Sequence, residues 1–210
     1  MSTTPRPATD VPPRTRGRRR PAPQSRGLIV EAVRELLKVR RLDDLTVAEI
    51  AERAGVSRPT FYSSFDTKYG VVATLIEGMG EGIFGIWRPF FEGEGPVDEA
   101  RIRPVTVGTI SHWREQGALF TAIIEGWHSD PEIHEAWSTV LDRFCVALTA
   151  RLHRMRAPQP SDDVLVASMV SLFERGLYLA VSSPDSAFGR SDDELADVLS
   201  AVWVRSLAGA

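Results

Sequence analysis

Cysteine is almost absent from this 210-residue chain, in which Cys145 is the only one. A single thiol excludes an intramolecular disulfide framework and fits the reducing cytosol. Metal-ligand spacing is absent too, because His112, His128, His134 and His153 stand apart and have no cysteine partners. We therefore expect no bound metal and no cofactor.

Long apolar runs are also missing, since no stretch of roughly 18 uninterrupted apolar residues occurs, and this predicts no transmembrane helix. The basic N-terminus is not followed by an apolar segment, so it does not resemble a secretory signal. No segment alternates with period two for long, and no Asn-Gly or Asp-Gly hairpin appears. The chain is therefore predicted to be all-α, cytoplasmic and without a membrane partner.

Positive charge is concentrated at the N-terminal end. Residues 1–68 contain 14 lysines and arginines against 8 acidic residues, whereas residues 69–210 contain 11 against 20. Residues 1–24 hold six prolines and few apolar side chains, so we predict a disordered arm. A basic front end on an acidic body suggests contact with a polyanion, and a solubilising tail is the alternative. The candidate phosphate-binding arginines of this arm are Arg16, Arg18, Arg19 and Arg20.

The rest of the chain shows the 3.6-residue periodicity of amphipathic helices, and about nine are predicted. Proline 104 disturbs one of these helices, and a kink is expected near Pro89. The predicted helices cover about residues 26–40 and 46–54, a short stretch that begins at Ser57, and a long one from Asp66 or Thr67 to about Phe91. The remaining five cover about 97–116, 118–128, 131–155, 162–183 and 192–208.

Two of these helices are short and separated by a glycine, which is typical of a helix-turn-helix. The segment Thr46-Val-Ala-Glu49 is a capping box for the first helix, and Gly55 fits a left-handed position after it. Ser57 can cap the second helix, and Pro59 fits its first turn. Such a second helix can lie in the major groove of DNA with its N-terminal residues on base edges.

The outward side of this second helix supplies the candidate DNA contacts. Arg58 has the fork that recognises guanine O6 and N7, and Pro59 and Tyr62 suit thymine methyls and sugar edges. Thr60, Tyr62 and Lys68 are placed for phosphates, as are the N–H groups at the helix start near Thr46. The predicted DNA-binding residues, besides the arm, are Thr46, Ser57, Arg58, Pro59, Thr60, Tyr62, Ser63 and Lys68.

The run "LTVAEIAERAGVSRPTFYSSFDTKYGVVATLI", residues 45–76, resembles the DNA-binding signature of the TetR family of bacterial repressors. Residues 136–144, 174–181 and 202–209 are similar to EthR-like members. The resemblance implies three segments: a basic arm at 1–24, a helix-turn-helix domain of three helices at 25–70, and a helical ligand-binding and dimerisation domain at 71–210. It also implies a repressor and no enzymatic activity, although an activator is not excluded.

In the family, the last two long helices of each subunit form a four-helix bundle with the partner subunit. Residues 192–208 carry a wide apolar stripe, and residues 162–183 offer small residues where helices can approach. The alternative is that both stripes serve only the intrachain core. A two-fold dimer predicts a palindromic operator, bound by one dimer or by two. The stripe consists of Leu195, Val198, Leu199, Val202, Trp203 and Leu207, and the small residues are Ala167, Gly176 and Ala180.

The resemblance to EthR-like members also implies a long apolar pocket for a small effector. EthR-like proteins carry asparagines where this chain has Val170 and Phe173, which points to a more apolar or a smaller ligand. A helical enzyme or carrier that uses the same aromatic pocket is the second class of function to be considered. The residues that would line the pocket are Trp113, Trp137, Leu141, Phe144, Phe173, Glu174, Tyr178 and Trp203.

A glycine pattern in residues 80–85 matches the G-x-G-x-x-G of dinucleotide-binding loops. Such a loop needs a preceding strand and a following helix, whereas a helical pattern precedes this one. We therefore expect residues 80–85 to be helical. The glycines of this long helix, which links the two predicted domains, could instead soften it as a lever.

Overall fold

A computed structural model describes residues 22–189 and 191–208. Over these residues the chain forms nine α-helices and one short 3-10 helix, Ala187–Gly189, and no strand, which confirms the all-α prediction. The helices are α1 Ala22–Leu37, α2 Val47–Arg53, α3 Arg58–Tyr62, α4 Lys68–Glu92, α5 Glu99–Glu115, α6 Gly117–Gly126, α7 Pro131–Met155, α8 Asp162–Ser182 and α9 Asp192–Ala208.

The first helix begins earlier than its apolar pattern indicates. It starts at Ala22, so residues 22–24 are helical although they belong to the arm predicted to be disordered. Pro23 lies in the first turn, where its missing N–H costs no hydrogen bond. The Ser25 side chain is buried, one residue before the predicted start of the helix at residue 26. The remaining predicted helix bounds differ from the observed ones by only a few residues.

The two helix-breaking prolines both lie inside continuous helices. Pro89 is part of α4 and Pro104 is part of α5. Near the end of α4, the carbonyl of Pro89 accepts a hydrogen bond of 3.1 Å from the Gly93 N–H, so the last turn is closed beyond the proline. The glycine pattern at 80–85 lies in the middle of α4, as expected, and forms no loop.

One core runs through the molecule. Helices α1, α2 and α3 pack on one another, and α1 also contacts α4 and α6. In the body, α4 lies along α7 while α5 lies along α9. Helices α4 and α7 approach closely at Gly80, where an added Cβ would lie 2.7 Å from Cγ2 of Val140. Helix α4 therefore belongs to both predicted domains and connects them directly.

Candidate nucleic-acid interface and ligand cavity

The turn between α2 and α3 is fixed by two caps and a glycine. The Thr46 N–H donates to Oε2 of Glu49 at 2.9 Å, and the Glu49 N–H donates to Thr46 Oγ1 at 3.3 Å, which completes the predicted capping box. The hydrogen bond with the Thr46 side chain is also the main reason why the pKa of Glu49 is lowered. Gly55 has a φ of 64°, the left-handed conformation that glycine adopts most easily. Ser57 then caps α3 by accepting the Thr60 N–H at 3.2 Å.

The inner side of α3 is anchored by aromatic rings. Phe61 is 0% exposed, and Phe65 packs beside it with ring centroids 6.2 Å apart. The guanidinium of Arg26 lies 4.0 Å from the centroid of the Phe65 ring and donates to the Ser64 carbonyl at 2.8 Å. A helix of five residues has little stability of its own, so these contacts hold α3 in place.

The outer side of α3 carries four of the predicted DNA contacts. Arg58, Pro59, Tyr62 and Ser63 are exposed, and Thr60 is partly exposed. Tyr62 stands edge-on to Phe61 but keeps 49% of its surface exposed. The Arg58 guanidinium forms no hydrogen bond or ion pair with any residue from 22 to 189 or from 191 to 208. Its donors are therefore available to a partner molecule.

The hydroxyl groups near α3 are partly occupied within the protein. Ser57 Oγ and Thr60 Oγ1 lie 2.8 Å apart, and Ser63 Oγ donates to the Thr60 carbonyl at 2.8 Å. Each hydroxyl oxygen keeps a lone pair that could accept a further hydrogen bond. The hydrogen bonds that these hydroxyls already make are mainly those of a helix cap. The exposed Thr46 hydroxyl likewise donates to Glu49 at 2.8 Å.

Lys68 differs from the other predicted contacts. Its Nζ donates to the carbonyls of Leu42, Asp43 and Leu45 at 2.7, 2.9 and 2.9 Å. An ammonium group has three N–H donors, so all of them are used inside the protein. In this structure Lys68 ties the start of α4 to the segment before α2 and leaves no donor for a phosphate. The arm residues Arg16, Arg18, Arg19 and Arg20 lie outside the described residues.

Seven of the eight predicted pocket residues surround one cavity in the body. Its volume is about 40 Å³, and it lies between α4, α5, α7, α8 and α9. Tyr178 is the exception, because it lies outside the lining and carries the Arg175 guanidinium 5.0 Å from its ring centroid. The cavity is lined by Ile83, Trp87, Thr109, Trp113, Trp137, Val140, Leu141, Phe144, Val170, Phe173, Glu174, Leu177 and Trp203.

Trp87 is the central lining residue that the sequence analysis did not select. Its ring is 0% exposed and packs against Phe144, Phe173 and Trp203, with centroids 5.0 to 5.9 Å away. Its indole N–H donates to Thr109 Oγ1 at 2.8 Å. Ile83 and Trp87 are four residues apart on α4, and this spacing was a signal that could have pointed to them.

Glu174 is the one charged side chain in the lining. Burial raises the pKa of its carboxyl group, while the Trp137 side chain, as a hydrogen-bond partner, and the positive charge of Arg175 act in the opposite direction. Val170 and Phe173 both line the cavity, so these two positions are apolar. Besides the four tryptophans, Glu174 and Thr109 are the lining residues that carry polar side-chain atoms, but the wall of the cavity itself is apolar.

The predicted dimerisation stripe on α9 divides into two faces. Leu195, Leu199, Trp203 and Leu207 are buried within the chain, and this side packs on α5. The other side points outward, because Val198 is 57% exposed and Val202 is 42% exposed. On α8, Val164 and Leu172 are also exposed, while the small residues Gly176 and Ala180 are buried.

Two described helices, α4 and α8, are long and apolar enough to cross a membrane by length and composition. Each contributes its most apolar side to the helical core, with Leu75 and Ile76 of α4 and Val166 and Leu177 of α8 almost fully buried. Helix α4 is interrupted by acidic residues, so its apolar character fits a core helix. Within the described residues, no group of three histidine, cysteine or acidic side chains could hold a metal ion.

Two families match the chain. The family of bacterial regulatory proteins named after TetR matches residues 29–75, and the C-terminal domain of the transcriptional regulator EthR matches residues 102–209. The first match covers the helix-turn-helix and the start of α4. The second covers nearly all of helices α5 to α9, which contribute most of the cavity wall. It includes the exposed apolar faces of α8 and α9.

Relatives and solved structures agree with these matches. The transcriptional regulators EthR of Mycolicibacterium smegmatis and Mycobacterium tuberculosis are 25% and 28% identical, over 94% of this chain and 93% and 94% of their own. A TetR-family regulator from Streptomyces coelicolor has a similar fold, with a TM-score of 0.68, 21% identity, and coverage of 90% of this chain and 84% of that one. A related structure from Syntrophomonas wolfei gives a TM-score of 0.72 at 15% identity, covering 90% and 96%.

Proposed function

The chain belongs to the TetR family of bacterial transcriptional regulators, with a C-terminal domain of the EthR type, and we propose that it is a repressor released by an effector. It binds a palindromic operator as a homodimer, and a small, largely apolar molecule in the aromatic cavity weakens that binding. This places it with the DNA in the cytoplasm. The observation that carries the proposal is the exposed Arg58, which has no partner among the described residues, on a short helix whose other side is anchored by Phe61.

DNA recognition follows from the two sides of α3. Because Phe61 and Phe65 fix the helix, the outward side chains meet the major groove without a large ordering cost. Arg58 is assigned to a guanine, and Pro59 and Tyr62 to thymine methyls and sugar edges. Thr46 and Ser57 cap helix starts and Thr60 lies in the first turn of α3, where backbone N–H groups and hydroxyls suit phosphates, while Ser63 lies exposed at the end of α3. Lys68 is assigned an indirect role, since its donors hold the domain together.

The arm adds affinity that does not depend on sequence. Arg16, Arg18, Arg19 and Arg20 precede α1, and each phosphate that they neutralise releases counterions. The affinity for DNA should therefore fall steeply as salt concentration rises. Extended basic arms can also enter an adjacent minor groove.

The homodimer uses the exposed faces of the last two long helices. Val198 and Val202 of α9 and Val164 and Leu172 of α8 are apolar side chains left in solvent by the intrachain packing. Exposed apolar patches of this kind mark association surfaces. A two-fold dimer places the recognition helices about 34–36 Å apart, or a multiple of that, on one face of the duplex.

Release requires that the cavity and the recognition helix are coupled. Helix α4 lines the cavity through Trp87 and begins directly after the helix-turn-helix. Two further links join the parts: Thr67 Oγ1 donates to Oε1 of Glu132 at 2.6 Å, and Arg41 pairs with Glu125 at 3.0 Å. A ligand that binds better to the conformation with displaced α4 and α6 lowers DNA affinity by its differential affinity.

Operator binding is tested by fluorescence anisotropy with promoter DNA flanking the gene of this protein. Arg58→Ala should weaken specific binding by about five- to 150-fold, since one bidentate contact to a base is worth about 1–3 kcal/mol. The matched control is Arg143→Ala, which removes the same charge from α7 in the body and should bind as the wild type does. Equal affinity for both variants, or a protein that stays monomeric at high concentration, would contradict the proposal.

A further inference from the structure

We propose that a groove at the far end of the body binds organic anions, which are molecules with a carboxylate or phosphate head group on an apolar body. We call it the arginine groove, and its volume is about 720 Å³. The proposal concerns a second site and depends neither on the effector cavity nor on DNA binding. The groove is lined by residues 93–97 and by Arg151, Arg154, Met155, Arg156 and Leu207.

The arginine groove lies at the opposite end of α4 from the helix-turn-helix. Helix α4 has 25 residues and, at about 1.5 Å per residue, spans about 37 Å. The loop 93–97 follows its last residue, and the ends of α7 and α9 supply the other lining residues. A ligand in this groove is therefore well separated from the recognition helix.

Arg151 is a buried positive charge in the wall of the groove. It is 2% exposed, and its Nε and Nη2 donate to the carbonyls of Phe90 and Gly95 at 3.2 and 2.6 Å. These two bonds tie α7 to the end of α4 and fix the guanidinium in place. Among the described residues, no carboxylate oxygen lies within 4 Å of it. Buried charges normally have an ionic partner, so the site lacks one negative charge.

The Arg151 guanidinium also has unused donors. An arginine carries five N–H groups, and the two bonds to carbonyls use one on Nε and one on Nη2. Nη1 has no acceptor in the described part of the chain, yet it is not among the side-chain atoms that are sealed from solvent without a partner. Nη1 therefore reaches the surface of the groove, where a ligand oxygen could accept from it.

Two further guanidinium groups stand beside Arg151. Arg154 donates to the carbonyls of Phe91 and Ala150, and the Arg101 group is next to the loop, where a Cβ added to Gly95 would lie 3.3 Å from its Nη2. Neither arginine forms an ion pair with a described residue. Burial lowers the pKa of Arg151, and the positive charges of Arg154 and Arg101 lower it further. A bound anion would offset this repulsion.

The carboxylates near the groove do not supply the missing charge. Asp162 is already paired with Arg156 through bonds of 2.5 and 3.1 Å. Glu94 is part of the lining, but it is exposed and forms no ion pair within the described ranges. Its charge opposes the lowering of the Arg151 pKa, and it has the smallest influence of the groups that act on it.

The rest of the lining favours an apolar body on the anion. Val97 and Leu207 are 4% and 3% exposed, and Met155 is partly exposed beside them. The volume of the groove falls in the range of about 300–1,000 Å³ that is typical of small-molecule sites. The guanidinium groups are complementary to the head group, and these three side chains are complementary to a hydrocarbon chain.

The test uses four probes: octanoate, octyl phosphate, octanol and acetate. Binding to the full-length protein is measured by calorimetry at low ionic strength. We expect octanoate or octyl phosphate to bind at least about tenfold more tightly than octanol, because hydrogen bonds from a guanidinium to an oxyanion are charge-assisted. Acetate has the head group without the apolar body and should bind at least about tenfold more weakly than octanoate.

The main variant combines Arg101→Gln with Arg154→Gln, since both side chains are exposed and their loss should not unfold the protein. It should lower the affinity for octanoate about tenfold and leave that for octanol unchanged. Arg143→Gln combined with Arg175→Gln is the matched control, because it removes the same charge from exposed positions on α7 and α8 outside the groove. Arg151→Lys keeps the charge, removes the planar fork and should also weaken octanoate binding. Thermal melts establish that each variant is folded.

The outcomes decide the inference directly. Tighter binding of either anion than of octanol, lost in the Arg101 and Arg154 variant and kept in the control, supports it, and the tighter of the two anions identifies the head group. Equal binding of octanol and both anions by the wild type overturns it, as does an affinity for octanoate that survives the main variant. Acetate binding as tightly as octanoate overturns the apolar body. None of these measurements involves DNA, so a failure of the repressor function would not alter them.

Discussion

The helix-turn-helix and the helical body both depend on buried aromatic rings, but they use them in opposite ways. Behind α3, Phe61 and Phe65 pack so that the side chains proposed to contact DNA face outward from a fixed base. In the body, Trp87, Trp113 and Trp203 surround a cavity, so the surface proposed to bind the effector lies inside. A rigid outer surface suits the reading of a rigid duplex, whereas an adjustable interior suits a ligand that must make its own space.

The largest effect should come from removing the ring behind the recognition helix. Phe61→Ala should lower the free energy of unfolding by about 3–5 kcal/mol, because it leaves a cavity in a fully buried site. Tyr62→Ala removes an adjacent ring that is half exposed and should change it by no more than about 0.5 kcal/mol. Urea denaturation followed by circular dichroism measures both.

For direct contact with DNA, Tyr62→Ala should matter more than Phe61→Ala, because the Tyr62 side chain is exposed and the Phe61 side chain is buried. Tyr62→Ala should weaken operator binding while the protein remains fully folded. If Tyr62→Ala destabilised the fold as much as Phe61→Ala does, the division of α3 into an anchored side and a free side would be wrong.

A second test concerns the lysine that joins the two regions. Lys68→Met removes three hydrogen bonds from a charged donor, and we expect it to cost about 2 kcal/mol in stability. Lys38→Met is the matched control, since Lys38 is exposed and pairs only with Glu35 on the same helix. If Lys68→Met lost DNA affinity without losing stability, the result would support the prediction from the sequence that Lys68 contacts a phosphate.

A third test compares two glycines of α4 that differ only in their surroundings. Gly78 has no neighbouring atom within 4 Å of an added Cβ, so Gly78→Ala should stabilise the protein by about 0.5–1 kcal/mol through helix propensity. Gly80→Ala places a methyl group against Val140 and should destabilise it by about 1 kcal/mol.

Gly78→Ala also tests whether α4 is a flexible lever, and Gly80→Ala cannot, because its steric effect on α7 would obscure the result. A flexible lever predicts that Gly78→Ala reduces the effect of the effector on DNA affinity. An unchanged ligand response, measured by anisotropy at several ligand concentrations, would show that α4 transmits the change as a rigid rod.

The smallest effect is confined to acid pH and compares two carboxylates. Arg156, together with the Gln159 N–H and His153, lowers the pKa of the buried Asp162 to about 2, from 3.8. A lowered pKa in the folded state means that Asp162 stabilises the protein above about pH 4 and that this contribution is lost as the pH falls towards 2.

Melting temperatures between pH 2 and 6 measure this contribution. Asp162→Asn should flatten the pH dependence in the acid range, whereas Glu49→Gln in the exposed cap should alter it only slightly. A wild-type and an Asp162→Asn protein with parallel pH profiles would contradict the role given to Asp162.

The sequence was most informative at positions where the local backbone geometry accepts only a few residue types. The capping box at Thr46, the left-handed Gly55 and the apolar periodicity predicted the helices and the turn, because local geometry decides them. The same reasoning placed Lys68 on the DNA side and missed Trp87. Both depend on which distant atoms lie nearby: three carbonyls before α2 for Lys68, and Thr109 on another helix for Trp87.

The dimer stripe shows the same limit. Periodicity identified six apolar residues on α9, but it could not divide them, because a helix buried by its own chain and one buried by a partner have the same pattern. The structure separates Leu195 and Trp203, which are buried, from Val198 and Val202, which are exposed.

The most direct test is protection of guanine N7 from methylation by dimethyl sulfate on a bound promoter fragment, with wild type and Arg58→Ala compared at saturating protein. The account predicts protected guanines in two symmetry-related half-sites about 34–36 Å apart, or a multiple of that, with protection lost in the variant. A footprint without protected guanines, or protection that survives Arg58→Ala, would contradict the placement of α3 in the major groove.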